Sequence, residues 1–156
     1  MSGSLEQVRG WYADELRLAG PVESADVLRA FATVPRERFL GPGPWRIYSD
    51  SGRGGYRTAP DADPRCVYHN VLVALDEARG INNGSPSLWA FVFDHMNLAP
   101  GEHVLHLGCG TGYYSAIMAE LVGSGRAGRC GRAGCGTGRA GARSAGGVAE
   151  RHVGGG

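Results

Sequence analysis

Residues 104–114 read Val-Leu-His-Leu-Gly-Cys-Gly-Thr-Gly-Tyr-Tyr, an apolar run that ends in three alternating glycines before a helix-compatible segment. This order predicts a β-strand, a tight glycine loop and the first turn of a helix. Gly108, Gly110 and Gly112 can take positive φ and let the backbone approach a ligand, while amides at the helix N-terminus face an anionic group. The stretch favours an α/β fold and a ligand with a carboxylate or phosphate and an adenosine moiety.

The spacing of these glycines argues against a nicotinamide dinucleotide as the ligand. A dinucleotide-binding fingerprint requires glycine at the first, third and sixth loop positions, and the sixth position counted from Gly108 is Tyr113. Glycine-rich turns between a strand and a helix also occur for packing alone, and this is the alternative interpretation of the loop.

The Gly-x-Gly-x-Gly pattern after a hydrophobic strand resembles motif I of the class I S-adenosylmethionine-dependent methyltransferases. A longer resemblance covers roughly residues 25–123. In order and spacing, residues 30–40 (Ala-Phe-Ala-Thr-Val-Pro-Arg-Glu-Arg-Phe-Leu), Pro86 and residues 98–105 (Leu-Ala-Pro-Gly-Glu-His-Val-Leu) are similar to the protein-L-isoaspartate O-methyltransferase family. The match is weak over residues 43–83. The resemblance implies an α/β fold, with an N-terminal helical region before a partial Rossmann-like class I methyltransferase core.

The resemblance also implies S-adenosylmethionine as cofactor and methyl transfer to a substrate carboxylate, of the kind that repairs isoaspartyl residues in proteins or peptides. It places cofactor-binding positions in and next to the glycine loop, at His106, Gly108, Cys109, Gly110, Thr111, Gly112 and Tyr113. A carboxylate is already a nucleophile, so the reaction demands alignment and desolvation rather than a general base. Two alternatives stay open: a related methyltransferase with a different acceptor, and an inactive truncated or non-catalytic fragment.

Two positions depart from the family pattern. The family has Ser or Thr two residues before the proline that aligns with Pro86, as the candidate hydroxyl for contacting the substrate, and this chain has Gly84. Ser85 is the substitute catalytic candidate if the backbone shifts, but Ser followed by Pro is also typical of a helix N-cap. His106 replaces an acidic residue that helps to orient the cofactor's ammonium group, which a neutral imidazole could do only by accepting one hydrogen bond.

Length, charge and cysteine spacing limit the functional classes. At 156 residues the chain can bury one small core, whereas a complete class I methyltransferase sheet of about seven strands generally needs more. The net charge of +1 gives no electrostatic case for binding nucleic acid or a membrane. No apolar segment of about 20 residues occurs, so we expect a soluble, cytoplasmic protein. The four cysteines form no Cys-x-x-Cys pair, which predicts reduced thiols and no metal site.

The chain divides into four predicted segments: an N-terminal helical region (1–40), a loop-rich substrate-side segment (41–83), the start of a Rossmann-like S-adenosylmethionine-binding core (84–123) and a Gly/Arg/Ala-rich tail (124–156). In the first segment, Ser4 and Ser24 are predicted helix N-caps. Residues 41–63 are rich in Gly, Pro, Ser and Asp, which predicts one long loop. Residues 67–75 are compatible with a strand or a short helix.

The tail loses aromatic residues and hydrophobic periodicity from about residue 125, so no further core strand is predicted there. Disorder is one interpretation. A frameshift is the other, because the codons of residues 126–136 read one nucleotide downstream permit Gly-Arg-Val-Val-Ala-Val-Glu-Leu-Asp-Ala. That sequence has the pattern of a second core strand ending in the acidic residue expected to hold the ribose hydroxyls.

Overall fold

The computed structural model describes residues 3–49, 54–123 and 130–131. Its helices and strands, in chain order, are α1 (Leu5–Ala19), α2 (Ala25–Thr33), β1 (Arg46–Ser49), β2 (Gly55–Thr58), β3 (Ala74–Asp76), β4 (Ile81–Asn82), α3 (Pro86–Met96), β5 (His106–Leu107), α4 (Tyr113–Val122) and β6 (Cys130–Gly131). Short 3₁₀ helices span Arg36–Phe39, Pro64–Val67 and Glu77–Arg79. Within the described ranges, no helix combines the length and the apolar character that crossing a membrane requires.

The first two helices begin where the sequence predicts. Ser4 Oγ accepts a hydrogen bond from the Gln7 amide, and the Gln7 side chain accepts one from the Ser4 amide, which completes a capping box. Ser24 Oγ accepts a hydrogen bond from Val27 N at 3.3 Å. Both predicted N-caps are confirmed, and each satisfies a backbone N–H that its helix leaves without a partner.

The four helices share one hydrophobic core around Phe31, a residue of α2 that is fully buried. Its ring centroid lies 6.2–6.4 Å from four other aromatic rings, which belong to Tyr12 on α1, Phe93 on α3, and Tyr113 and Tyr114 on α4. Tilted and edge-to-face pairs of this kind add about 0.5–1.5 kcal/mol each beyond the burial of their area. The N-terminal helical region and the start of the predicted core are therefore one packed unit.

The segment predicted as a single long loop contains a β-hairpin, so the prediction for residues 41–63 is wrong over β1 and β2. These strands pair antiparallel with Tyr48 opposite Tyr56, and the two ring centroids are 5.4 Å apart. An aromatic cross-strand pair stabilises a hairpin even where the surrounding composition is typical of turns. Residues 67–75, left open between strand and helix, begin at the end of a 3₁₀ turn and lead into β3, which pairs with β4.

Strand β5, which precedes the glycine loop, pairs in parallel with β6, so that His106 lies opposite Cys130. The prediction that no core strand follows residue 125 is wrong at these two residues of β6, because pairing uses backbone groups that every non-proline residue carries. The predicted disorder or frameshift of residues 124–129 and 132–156 lies outside the described residues.

Two leucines next to the glycine loop are exposed. Leu105 is 68% exposed and Leu107 is 75% exposed, although they flank and form part of β5. The strands of a parallel α/β sheet are normally buried on both faces. The described residues therefore pack on only one side of this α/β core, and the leucines of and next to β5 are largely exposed to solvent.

Arg36 fixes the segment that runs towards the candidate site. This residue is fully buried, and Nη1 and Nη2 of its guanidinium donate to the carbonyls of one short stretch: Val67 at 2.6 Å, His69 at 2.8 Å and Val71 at 2.7 Å. Carbonyl dipoles thus solvate a buried charge, and the ring of Tyr12 lies 5.7 Å from Arg36 Cζ. We refer to Arg36 and residues 67–71 as the arginine latch.

Glu37 strengthens the arginine latch from the neighbouring position. It accepts a hydrogen bond from the Tyr68 hydroxyl and forms an ion pair with Arg9 at 2.9 Å. Arg9 Nε also donates to the Tyr68 hydroxyl at 2.8 Å. Burial, and then the hydrogen bond to Glu37, raise the pKa of Tyr68, so the phenol stays protonated and donates. The Pro-Arg-Glu part of the family-like sequence therefore connects the N-terminal helices to the following segment.

Two asparagines extend this connection to the start of α3. Asn70 Oδ1 accepts a hydrogen bond from Ser87 N at 3.0 Å, in the first turn of α3. Asn83 forms two hydrogen bonds with Val73. Its backbone N–H donates to Val73 O at 3.0 Å, and its side-chain Oδ1 accepts from Val73 N at 2.8 Å. The turn before α3 is thus held from both sides.

Candidate functional site

The three glycines of the loop all have left-handed backbone conformations. The φ angles are 72° at Gly108, 55° at Gly110 and 92° at Gly112, which confirms the predicted need for glycine. A Cβ at any of the three would meet no heavy atom within 4 Å. The glycines are therefore required by the backbone conformation, and open space lies beside each of them.

Helix α4 begins directly after this loop. Its N-cap is Gly112, which has no side chain to satisfy the first amides of the helix. The unsatisfied amides and the helix dipole together favour a negatively charged group at this end. Tyr113, the first residue of α4, is 2% exposed and its ring packs 5.7 Å from that of Phe39.

A cavity of about 160 Å³ lies between the glycine loop and the turn that precedes α3. It brings together every predicted cofactor-binding position except Gly112. The lining residues are Leu75, Asn82, Asn83, Gly84, Trp89, His106, Gly108, Cys109, Gly110, Thr111, Tyr113 and Tyr114. This lining contains no aspartate, glutamate, lysine or arginine side chain. An anionic ligand would therefore meet no carboxylate among the described lining residues.

His106 lies in the wall of this cavity as a neutral imidazole. Burial lowers its pKa below the ordinary value of 6.5, which favours the neutral form at pH 7. Its Nδ1 lies 2.8 Å from Ser115 Oγ and shares a hydrogen bond with it. The ring also packs edge-on against Trp89, with centroids 5.4 Å apart. The side chain is thus fixed in orientation and carries no charge.

The turn at Gly84 has no room for the hydroxyl residue that the family pattern places there. Its φ is +80°, and a Cβ would lie 2.8 Å from Trp89 Nε1 and 3.3 Å from Tyr114 Cε2. Trp89 stacks on Tyr114 with centroids 4.7 Å apart, and the Tyr114 hydroxyl donates to Gly84 O at 3.1 Å. The indole therefore fills the space that a side chain at position 84 would need. Sequence reasoning assigned Trp89 to packing and missed this role.

Ser85 is the N-cap residue of α3, with Pro86 at the first helical position, as the capping interpretation predicts. Its side chain makes no capping hydrogen bond, however, and Ser85 Oγ lies 3.2 Å from Ser87 Oγ instead. The backbone N–H of Ser87 donates its hydrogen bond to the side chain of Asn70. Ser85 is not among the described residues that line the cavity, and its catalytic role remains a prediction.

The cysteines do not share one redox state. Cys66 is a free thiol, as expected from the sequence. Cys109 is disulfide-bonded, so the expectation of reduced cysteines is wrong for this residue. A disulfide requires only that two sulfur atoms meet in the folded chain, and spacing along the sequence does not reveal such a meeting.

Comparison with known protein families gives a match over most of this chain. The family model described as "Protein-L-isoaspartate(D-aspartate) O-methyltransferase (PCMT)" matches residues 12–129. This match confirms the resemblance predicted from the sequence, and with it the α/β class and the partial Rossmann-like methyltransferase core.

Three curated relatives carry the name protein-L-isoaspartate O-methyltransferase. The protein of Methanosarcina mazei is 32% identical over 106 residues, which are 68% of this chain and 35% of the relative. That of Hyperthermus butylicus is 28% identical over 116 residues, 74% of this chain and 39% of the relative. That of Methanothermobacter thermautotrophicus is 28% identical over 109 residues, 70% of this chain and 41% of the relative. The chain thus spans well under half the length of the relatives that it matches.

Proposed function

Because this chain belongs to the protein-L-isoaspartate(D-aspartate) O-methyltransferase family, we propose that it acts in S-adenosylmethionine-dependent methyl transfer to a carboxylate of an isoaspartyl protein or peptide. The observation that carries the proposal is the open glycine loop at the uncapped N-terminus of α4, with His106 beside it. We further propose that residues 84–123 form the cofactor side of the site and residues 41–83 the substrate side.

The residues present fit the methionine part of S-adenosylmethionine. The open space beside Gly108 and Gly110 admits a ligand close to the backbone, and the first amides of α4 suit its carboxylate. The neutral ring of His106 suits its ammonium group, for which it would be a hydrogen-bond acceptor. The cavity of about 160 Å³ is smaller than the roughly 300–1,000 Å³ usual for small-molecule sites, so the adenosine part must extend beyond it.

When bound, S-adenosylmethionine supplies a methyl group made electrophilic by its sulfonium sulfur. The chain itself would contribute orientation and exclusion of water. The amides of α4 would hold the anionic end of the ligand, and the stacked rings of Trp89 and Tyr114 form an apolar part of the cavity wall. No residue has to remove a proton, because the accepting carboxylate is ionised at neutral pH. Alignment of the two reacting groups is then the main source of rate.

A second candidate function is methyl transfer to a different acceptor. The observation that favours it is the turn at Gly84, where Trp89 fills the place of the family's hydroxyl residue. A site altered at the substrate-contacting position, with an unaltered glycine loop, is the arrangement expected if the cofactor is kept and the acceptor has changed.

The direct test is an assay of methyl transfer by the full 156-residue chain. The chain is incubated with methyl-labelled S-adenosylmethionine and an isoaspartyl peptide, with the matched aspartyl peptide as control, and base-labile methyl ester is counted. We expect label in the isoaspartyl peptide alone. Label only in other acceptors would establish the second candidate. A folded chain that binds no S-adenosylhomocysteine by calorimetry would overturn both and identify a non-catalytic protein.

A further inference from the structure

His106 has one ring nitrogen that is bound within the fold and one that is not. Nδ1 lies 2.8 Å from the Oγ of Ser115, which belongs to the first turn of α4. Nε2 has no hydrogen-bond partner among the described residues, and it is not one of their buried unpartnered atoms, so it keeps accessible surface. The bonding directions of the two nitrogens diverge across the imidazole ring, so Nε2 points away from Ser115. His106 itself lines the cavity beside the glycine loop.

The single proton of this ring has two possible positions. Burial lowers the pKa of His106, so the imidazole is neutral at pH 7, with one N–H group and one acceptor nitrogen. A serine hydroxyl can accept or donate, and the hydrogen bond at one ring nitrogen decides which tautomer is present. If Ser115 Oγ accepts from Nδ1–H, Nε2 carries a lone pair. If Oγ donates to Nδ1, Nε2 carries the proton.

The location of Ser115 favours the first arrangement when a ligand is bound. The amides of residues 113–115 precede the first hydrogen bond of α4, which runs from Ala116 N to Gly112 O at 2.9 Å. These amides suit the carboxylate of an amino acid. The ammonium group of an α-amino acid is attached to the same carbon atom as its carboxylate, so it would lie beside the same turn. An ammonium group only donates, and the described cavity lining offers it no carboxylate.

We propose that Ser115 is a positioning residue for the cofactor: its hydroxyl accepts the Nδ1 proton of His106, and Nε2 then accepts a hydrogen bond from the ammonium group of the methionine part. The inference rests on the proposed function for the identity of the cofactor. One helical turn then serves both charged groups, because its amides suit the carboxylate and its Ser115 hydroxyl sets the acceptor for the ammonium group. His106 and Ser115 together replace the acidic residue that the family pattern has at position 106.

The test compares two ligands on the full chain and its variants. Ser115→Ala removes the hydroxyl, and Ser115→Thr keeps one. The matched control is Ser87→Ala, because Ser87 is also half-buried in the first turn of a helix and its Oγ lies 3.2 Å from that of Ser85. Ser87 is not among the described residues that line the cavity. Calorimetry measures the affinities for S-adenosylhomocysteine and for its analogue in which hydrogen replaces the α-amino group.

A measurement on the unmodified chain keeps the inference independent of whether a variant folds. NMR of the ring nitrogens of His106 reports which of the two carries the proton in the complex with S-adenosylhomocysteine. We expect the proton on Nδ1 and an unprotonated Nε2. A proton on Nε2 in this complex would overturn the inference.

Ser115→Ala should weaken S-adenosylhomocysteine by about three- to tenfold, the range set by loss of the one neutral hydrogen bond that selects the tautomer. It should leave the affinity for the analogue without the amino group within about twofold. Ser115→Thr should restore the affinity for S-adenosylhomocysteine, and Ser87→Ala should change neither affinity. Equal losses for the two ligands, or an equal effect of Ser115→Ala and Ser87→Ala, would identify a merely structural role and reject the inference.

The two proposals can fail separately. If Ser115→Ala weakens S-adenosylhomocysteine as expected but the chain methylates no isoaspartyl peptide, the proposed acceptor fails and the role of Ser115 stands. If methyl transfer to the isoaspartyl peptide occurs and Ser115→Ala leaves both affinities unchanged, the role of Ser115 fails alone. If a folded chain binds no S-adenosylhomocysteine, both proposals fail.

Discussion

The arginine latch and the glycine loop use the polypeptide backbone in opposite ways. In the latch, one buried guanidinium draws three carbonyls around itself and leaves no space. In the loop, three glycines turn the backbone so that space stays open and the amides of α4 are left without a side-chain cap. The three latch carbonyls have their donor within the chain, although Arg36 Nε has no partner among the described residues, whereas the first amides of α4 suit an anionic ligand. The latch residues thus stabilise the fold, whereas the loop residues are positioned to contact a ligand.

The largest effect on stability is expected when the charge of Arg36 is removed from the arginine latch. We expect Arg36→Met to lower the free energy of unfolding by about 3–5 kcal/mol, because three buried carbonyls lose their donor at once. Urea unfolding followed by circular dichroism measures the change. Arg29→Met is the matched control, since Arg29 is 65% exposed in a surface ion pair and should cost less than about 1 kcal/mol. Equal losses of stability in the two variants would show that the buried hydrogen bonds of Arg36 contribute no more than a surface ion pair.

A leucine in the core and a leucine beside the glycine loop give a second comparison of a closed with an open part of the molecule. Leu16 is fully buried in the core, whereas Leu107, beside the glycine loop, is 75% exposed. Leu16→Ala should cost about 2–5 kcal/mol, and Leu107→Ala should stay within about 0.5 kcal/mol of the unmodified chain. A loss above 1.5 kcal/mol in Leu107→Ala would mean that something covers β5 in solution, and the mass from sedimentation would then distinguish another copy of the chain from its own residues.

Gly84 lines the cavity beside the glycine loop, and glycine is required there both by its positive φ and by the neighbouring Trp89. Gly84→Ala should destabilise the fold more than Gly80→Ala, by about 1–3 kcal/mol, because both sites have positive φ but only Gly84 has Trp89 in the way. Thermal unfolding of the two variants gives this difference. If the two losses are the same, the indole moves aside at little cost, and the family's hydroxyl residue could be restored at position 84.

The smallest effect concerns the charge of His106. Its pKa lies below 6.5 in the folded chain because burial disfavours the charged form. The unfolded chain therefore binds the proton more tightly, so this residue's contribution is fully present above the unfolded value near 6.5 and is lost as the pH falls from there through the lower folded pKa. In His106→Asn, the loss of stability between pH 7.5 and 5.5 should be slightly smaller than in the unmodified chain. An NMR titration midpoint of His106 at or above 6.5 would contradict the assignment.

Local chemistry explains which parts of the molecule could be predicted from its sequence. The capping box at Ser4, the N-cap at Ser24 and the left-handed loop glycines each depend on residues within a few positions of one another, so the pattern contains the whole interaction. The hairpin of β1 and β2 was missed because its stabilising pair, Tyr48 and Tyr56, is separated by a turn-rich stretch that indicates a loop.

The unpredicted parts of the site depend on contacts between distant residues. Arg36 meets the segment around Val67 about thirty positions later, and Asn70 supplies the cap of α3 seventeen positions before Ser87. The hydrogen bond from Val73 N to Asn83 Oδ1 likewise joins residues ten positions apart. No periodicity or local spacing records such pairings. The sequence therefore indicates the glycine loop and the helix after it, whereas the structure shows which distant residues hold the turn beside that loop.

The stack of Trp89 on Tyr114, with His106 at its edge, gives this site an optical reporter of its own. Trp89 is one of three tryptophans; Trp11 is 62% exposed, and Trp45 is buried with its Nε1 bonded to Gly41 O at 3.1 Å. The emission of Trp89 responds to the stacking of its ring and to the protonation of the imidazole beside it. Ligand entry beside the loop can thus be followed by intrinsic fluorescence in Trp11→Phe/Trp45→Phe chains, with no label attached to the protein.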